Sequence, residues 1–525
     1  LVLGLALVLS LAWAGHAAAV EGASGWVLLV SQLVHLAASA GWLGSLLPLA
    51  MVLSRARRRP ASWGFAAAVT RRFSPVGQVC VAALVVSGIA NGLVLVGTVP
   101  ALVGTHYGRL LLAKLAFFAF MCLLAAANRF RLTPALDMRP GRAVRGLWRN
   151  ALLEIALGIG VLGIVGALGA STPAAHDQPV WPFPVAFSLQ ALDQDQTLLV
   201  PLALTGLLAA LALAAVCFGW LKRHPAVAGV GLGGLGAAIV VAAQLSAVPA
   251  YPTSFQHSPL RYTARAVAAG GHTYATFCTA CHGEAGHGDG SAAASLSIKP
   301  ANLTEPHLFH HGEGTLFWWI GHGIANTPMP GFADQIDETK RWELIQFLRA
   351  NAEAEEASSL TASVDPPSTV VAPDFEFQIA KGPQETLKDL RGGTNVLLVF
   401  YSLPASRDRL TALAAAASDL AQQHLRIVAV PMSEAGQAPP SVPFATDAAP
   451  EIVAAYALYR RGNPAASAAP PPHEEFLIDR AGYLRARWTL GAADGWGDLA
   501  RLKDALVQLN AERPRPPAPE GHVHG

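Results

Sequence analysis

Phe277-Cys278-Thr279-Ala280-Cys281-His282 is the stretch on which the reading of this chain turns. Its C-x-x-C-H spacing lets two thiols add to the two vinyl groups of a haem while the adjacent imidazole reaches the iron. The same spacing is open to a zinc half-site or a thioredoxin-like redox pair. A zinc site needs further ligands close by, and no second cysteine pair exists. Cys80, Cys122 and Cys217 lie inside apolar runs, where a cysteine is usually a small buried hydrophobe. That distribution also argues against a disulfide-stapled fold.

Around the motif stand Gly270, Tyr274, Gly286-His287-Gly288-Asp289-Gly290 and Lys299-Pro300-Ala301-Asn302-Leu303. Further on come Thr327-Pro328-Met329-Pro330 and the aromatic run Arg341-Trp342-Glu343-Leu344-Ile345-Gln346-Phe347-Leu348. With these, residues 260–352 resemble a class I c-type cytochrome, an all-α domain. The resemblance implies one covalent haem c on Cys278 and Cys281, with His282 as one axial iron ligand and Met329 as the other. It also implies, more weakly, that the Pro300 carbonyl receives the His282 ring N–H and orients it. A thioether opposite an imidazole raises the reduction potential and suits electron transfer. Rival sixth ligands are His287, His307, His310, His311 and His322, each of which also reads as a surface-loop histidine.

Upstream the composition changes. Only 14% of the chain is charged and 52% is hydrophobic, against about a quarter charged in ordinary soluble domains. The deficit lies in the first 250 residues. Seven apolar runs there are long enough to span a bilayer, roughly 1–20, 26–53, 76–97, 110–128, 150–170, 197–219 and 226–248. The first also reads as a signal peptide with Ala17-Ala18-Ala19 for cleavage, but it lacks a positive start; the first basic residue is Arg55. A true span, in a chain missing its native start, is the expectation. Loops 54–75, 129–149 and 220–225 hold the arginines and lysines, while 98–109 has only Arg109 and 171–196 none. The positive-inside rule puts the basic loops in the cytoplasm and everything after about 249 outside, in a bacterium the periplasm. No basic cluster with interleaved aromatics suggests nucleic acid.

Gly15-His16-Ala17-Ala18-Ala19, His35, Trp42-Leu43-Gly44, Arg71-Arg72-Phe73-Ser74, Tyr107-Gly108-Arg109-Leu110-Leu111-Leu112-Ala113-Lys114 and His176-Asp177-Gln178-Pro179-Val180-Trp181-Pro182 follow one another over residues 1–190. In that order they look like the copper-resistance D family, CopD. The resemblance implies copper handling, by uptake or transfer across the inner membrane. Read without the family, His16, His35, His106 and His176 fall in the outer half or outer loops, with His35 about 13 Å deep at roughly 1.5 Å per residue. Buried polar groups in a bilayer are expensive and tend to be functional. Imidazole suits copper, with His16 and His35 the candidates, and a pair of span histidines also suits haem b in a quinol-linked oxidoreductase. The rival for His35 is a hydrogen bond between helices. Only five methionines occur, a thin supply of soft ligands for a Cu(I) path. Lys114 and Glu154, near span ends, read as snorkelling to the interface.

Residues 353–371 read as an acidic linker and 511–525 as a disordered Pro-rich tail. Between them, Asn395–Tyr401 and Leu425–Val430 read as buried strands around an Ala-rich helix. With Pro373-Asp374-Phe375 and Phe476-Leu477-Ile478-Asp479, residues 372–510 look like a thioredoxin-like α/β domain. Leu403 and Ser406 stand where its redox cysteines would be, and no cysteine follows Cys281. Thiol–disulfide chemistry is therefore excluded there. The whole is expected to be multidomain: a transmembrane bundle over 1–250, a cytochrome and a thioredoxin-like module. It would be an electron carrier of the inner membrane, partnered by lipid and by redox proteins of the periplasm or membrane, rather than an enzyme with its own substrate. Copper import or resistance is the alternative.

Overall fold

The computed structural model describes residues 10–13, 22–187, 196–305, 308, 311–365, 367–378, 383–432, 449–460, 471–492 and 495–519. Two compact units emerge, one on residues up to Pro184 and one from Val185 to Val523.

The first unit is a bundle of Gly22–Arg58 (α1), Trp63–Leu95 (α2), His106–Ala127 (α3) and Pro140–Gly169 (α4). Lipid offers no hydrogen bonds to the backbone, so uncharged runs of this length close their own as helices. On α2, Leu84 and Ser87 face inward. Val79, Val86 and Leu93, seven residues apart, stay 69–70% exposed, a stripe suited to lipid. The second unit opens with two more such helices, Leu199–Leu221 (α5) and Pro225–Leu245 (α6). A short antiparallel pair, Val185–Phe187 (β1) with Ala247–Pro249 (β2), pairs the chain before α5 with the chain after α6.

Six described helices are long and apolar enough to cross a membrane. Seven were expected; the first run lies outside the described residues apart from Ser10–Trp13. The helices also overrun their expected ends. Arg55, Arg57 and Arg58 occupy the last turn of α1, and Arg71 and Arg72 lie within α2. Helical hydrogen bonding continues past the apolar run, and cations favour a helix C-terminus. Arg57 stacks over Trp148 at 3.8 Å, and Arg71 reaches both Asp137 oxygens at 2.6 and 2.7 Å.

The cytochrome helices are Ala264–Phe277 (α7), Glu313–His322 (α8) and Glu338–Ala357 (α9). Thr263 and Asp337 cap α7 and α9 by accepting from Ala266 and Lys340 backbone N–H. α7 packs on α9 at Gly270, where a methyl group would strike the Glu343 carbonyl. Tyr274 and Phe347 rings meet beside it at 4.9 Å.

A four-stranded sheet follows, built from Asn395–Tyr401 (β5), Leu425–Pro431 (β6), His473–Ile478 (β7) and Leu484–Thr489 (β8), after the hairpin Glu376–Gln378 (β3) and Gln384–Thr386 (β4). Its order is β6-β5-β7-β8, with β5 parallel to β6 and β7 antiparallel to both neighbours. With Arg407–Gln422 (α10), Ala449–Ala457 (α11) and Leu499–Ala511 (α12), this is the thioredoxin-like arrangement.

Alternation along β5 divides two cores. Leu397, Val399 and Tyr401 pack with Leu410, Leu413, Leu502 and Leu506 of α10 and α12. Val396, Leu398 and Phe400 join a second core that runs through Tyr456 to Tyr262, Val267, Leu344 and Phe347 of the cytochrome. The two soluble modules thus share one hydrophobic core.

That sharing corrects two boundary readings. Residues 353–371 are not a free linker: Glu353 lies in the buried seam, Val364 and Val370 are 1% and 0% exposed, and Thr361 and Val370 carbonyls accept from Arg487 and Leu484 of β8. Nor is the tail structureless as far as 519. Ala518 is buried, donates to Ala481 O at 2.7 Å and accepts from Arg391 at 3.1 Å. Proline fixes an extended chain, and an extended chain fits a groove beside a sheet as readily as it floats. Residues 520–525 lie outside the described residues.

Candidate functional site

The C-x-x-C-H stretch forms a single turn, Thr279–His282, directly after α7. Tyr274, one turn earlier, donates its hydroxyl to Gly283 O at 2.7 Å. The chain then folds back: Gly288 N–H donates to His282 O at 2.9 Å and Leu303 N–H to Gly286 O at 2.7 Å. Gly288 has φ +74° and lies so close to the Pro300 carbonyl that a side chain there would strike it. Asn351 of α9, 2% exposed, donates to Ala285 O at 2.9 Å and ties the loop to the core.

These contacts bring the 299–303 strand of chain against the His282 ring. Nδ1 of His282 meets Ala301 O at 3.0 Å. The carbonyl is Ala301's, where Pro300's was expected. Pro300 O faces Gly288 instead, and successive carbonyls of an extended chain point to opposite sides. With Nδ1 engaged, Nε2 is the nitrogen left to bind iron. Burial lowers the His282 pKa, opposed by the bond to Ala301, which keeps the ring neutral as a ligand must be. Burial pushes the Cys278 thiol up to about 12, with Cys281 beside it adding to the effect. It therefore rests as a thiol.

Met329 lies on the turn after α8. Its backbone N–H donates to Thr327 Oγ1 at 3.3 Å, and its carbonyl accepts from Ile324 N–H at 3.4 Å. Three residues on, Phe332 packs edge-on against Phe277 at 5.9 Å, joining the methionine turn to the cysteine turn. Of the rival ligands, His322 stacks on Trp318 at 3.7 Å, His311 packs on Trp319 at 4.8 Å, and His287 lies 3.9 Å from Glu355. His307 and His310 are outside the described residues.

The donor set fits a haem: two thiols on one turn, an imidazole with only Nε2 free, and a thioether on a pinned loop. It does not fit structural zinc, whose four ligands are thiolate, imidazole or carboxylate and not a thioether. Among the described residues no three His, Cys, Asp or Glu side chains cluster.

In the bundle, His35 of α1 faces α2. Its Nδ1 lies 2.9 Å from Ser87 Oγ, and Ser87 donates to Ala83 O at 2.6 Å. The Ser87 hydrogen is thereby used, so Nδ1 carries the ring proton and Nε2 keeps its lone pair. Ser31, donating to Ser87 O at 3.1 Å, and the Asn91–Gln32 bond at 3.1 Å continue the polar seam. His106 and His176 are exposed at helix ends, and His16 is outside the described residues. Glu154 does not snorkel. It is 2% exposed and accepts from Asn128 at 2.9 Å, because the α3 extension carries Asn128 into the bundle.

Residues 67–168 match the family Copper resistance protein D, and residues 265–348 match Cytochrome C oxidase, cbb3-type, subunit III. The chain carries a copper resistance protein D domain fused to a cytochrome c domain. A cytochrome c domain implies haem c. Copper resistance protein D of Pseudomonas syringae pv. tomato is 37% identical over 177 residues, 32% of this chain and 57% of that protein. Copper transport protein CutJ of Bacillus subtilis (strain 168) is 33% identical over 191 residues, 36% of this chain and 33% of that protein. The chain thus spans a third to just over half of these relatives' lengths. A thiol:disulfide interchange protein DsbE from Chlorobium tepidum is 21% identical over 26% of this chain and 96% of its own, with a TM-score of 0.21.

Proposed function

We propose that the chain is a membrane-anchored electron carrier: one haem c, held on the periplasmic side of a bacterial inner membrane, passes electrons between redox proteins. The observation that carries this is the His282 turn, where Ala301 fixes the ring so that Nε2 alone faces a ligand. Cys278 and Cys281 would hold the haem covalently, and His282 and Met329 would ligate its iron. Haem bound there supplies one-electron transfer, and the methionine biases it toward a high potential. The protein's own part is orientation. Ala301 sets the imidazole plane, and the Thr327 and Ile324 contacts pin the methionine turn. Lys222 and Arg223, between α5 and α6, support the orientation: a basic hairpin tip belongs in the cytoplasm, which puts both helix ends and the cytochrome outside.

A pyridine haemochrome spectrum of the purified protein tests the reading. Wild type is expected to show one covalent haem, and its native oxidised spectrum, recorded without pyridine, the weak far-red band of a methionine–iron bond. Met329→Ala is expected to lose the band and lower the potential while keeping the haem. Cys278→Ala with Cys281→Ala is expected to lose covalent haem altogether; retention would sink the assignment.

A second reading, copper passage through the bundle, is favoured by His35. Its unprotonated Nε2 has no hydrogen-bond partner among the described residues and is competent to bind copper.

A further inference from the structure

The α1–α4 bundle forms a half-open cavity of about 360 Å³ near its arginine-rich end. Glu154, on its wall, stands five residues beyond Arg149, about 7.5 Å along α4. Most of the lining is apolar, Trp42 and Phe73 included, but Gln78, Cys122, Asn128 and Glu154 also face in. Asn150 donates to Asn128 Oδ1 at 2.8 Å, which leaves the Asn128 amide N–H to donate to one Glu154 oxygen at 2.9 Å. The second Glu154 oxygen accepts no hydrogen bond among the described residues, and no basic group there pairs with it. Arg129, the cation on the cavity wall, donates instead to Ser74 Oγ at 2.7 Å.

A carboxylate this deep in a bundle, without a counter-ion, is strongly unfavourable unless a cation or a proton joins it. The cavity holds roughly ten times a water's share of liquid volume, about 30 Å³, so an ion fits with part of its hydration. Cys122 selects among ions. Magnesium and calcium require shells of oxygen, whereas a thiolate favours soft metals.

We propose that this cavity is an intramembrane site for a soft monovalent cation of the Cu(I) and Ag(I) class. The Glu154 carboxylate and the Cys122 thiolate ligate it, the thiol proton passing to water. Asn128 and Asn150 position Glu154. The natural ion rests on the copper reading; the site itself does not, and it is separate from His35, which lies about 10 Å beyond Trp42 along α1.

The test is equilibrium dialysis of Ag(I), which has a single stable oxidation state, against the purified haem-loaded full chain with Cys80→Ser and Cys217→Ser. One bound ion is expected to weaken about tenfold or more in Glu154→Gln and in Cys122→Ser, and to persist in His35→Ala. An unchanged haem spectrum and thermal midpoint show that each variant is folded. Equal binding in the parent, Glu154→Gln and Cys122→Ser overturns the proposal. So does an infrared carbonyl band, lost in Glu154→Gln and insensitive to Ag(I), which would make Glu154 a proton site. Copper accumulation in cells carrying His35→Ala tests the passage reading separately. Unchanged accumulation with an intact Ag(I) site would reject passage and leave the cavity site standing.

Discussion

Two turns in the second unit invite comparison, Thr279–His282 after α7 and Ser402–Ser406 after β5. Each stands where its fold family places paired cysteines. The first keeps Cys278 and Cys281, with a ring and a loop arranged around them. In the second, Leu403 and Ser406 replace the pair, and Ser406 is 0% exposed. Its hydroxyl accepts from Ser402 N–H at 3.1 Å and donates to Pro472 O at 2.9 Å. Beside it, Glu475 takes two bonds from Arg409, at 2.7 and 2.9 Å, one from Trp496 at 2.6 Å, and meets His473 at 2.8 Å. The first turn carries the candidate haem-attachment residues; the second holds buried polar structure. The core shared with the cytochrome lies on one face of the sheet, and Leu403 of this turn packs into the core on the other.

Removing the buried charge should have the largest effect. Glu475→Gln leaves Arg409 without its counter-ion, and breaking such a pair is worth about 3–5 kcal/mol. The shared core predicts that haem absorbance and tryptophan fluorescence fall together, at one lowered thermal midpoint. A haem signal that melts at the wild-type temperature would break the comparison. The pH dependence follows in sign. Burial pushes the Glu475 pKa up, but the Arg409 and His473 bonds outweigh it and hold the carboxyl below its usual value. Its contribution is therefore present at neutral pH and lost as pH falls below about 4. Glu475→Gln should flatten that acid limb.

Ser406→Ala comes next. It removes a buried donor and acceptor together, for about 1–2 kcal/mol, read as a shift of the urea midpoint with an unchanged haem spectrum. A gain in stability would mean that the turn is simple packing rather than a polar lock.

How far this was legible in the sequence depends on the range of each interaction. C-x-x-C-H, the apolar spans and the strand Asn395–Tyr401 are local patterns and could be read directly. Ala301 was missed by one position, because which carbonyl faces a ring depends on the exact path of an extended loop. Glu154 read as a snorkelling residue, since its partner Asn128 is 26 residues away. The packed stretch 353–371 read as a linker because composition reports polarity and not neighbours. The shared core had no local signal at all: Tyr262 and Tyr459 meet across 197 residues.

That last contact carries the smallest predicted effect and tests the seam itself. Tyr262 and Tyr459 hydroxyls lie 2.9 Å apart, and Tyr262 also reaches Glu353 at 3.4 Å. Arg349 donates to Glu353 at 3.1 Å, and Val371 N–H donates to the same carboxyl at 3.2 Å. Burial drives both phenols well above their usual pKa, so they meet as neutral groups. Tyr459→Phe removes one hydroxyl but leaves Tyr262 its Glu353 partner, so the loss should be about 1 kcal/mol. On a unit of this size that is a drop of roughly 2–4 °C. The informative readout is cooperativity. If the seam is part of one core, the midpoint falls and both probes still coincide. If the seam is a mere contact, Tyr459→Phe should split the haem and tryptophan transitions, and the two modules would then be neighbours rather than a single folding unit.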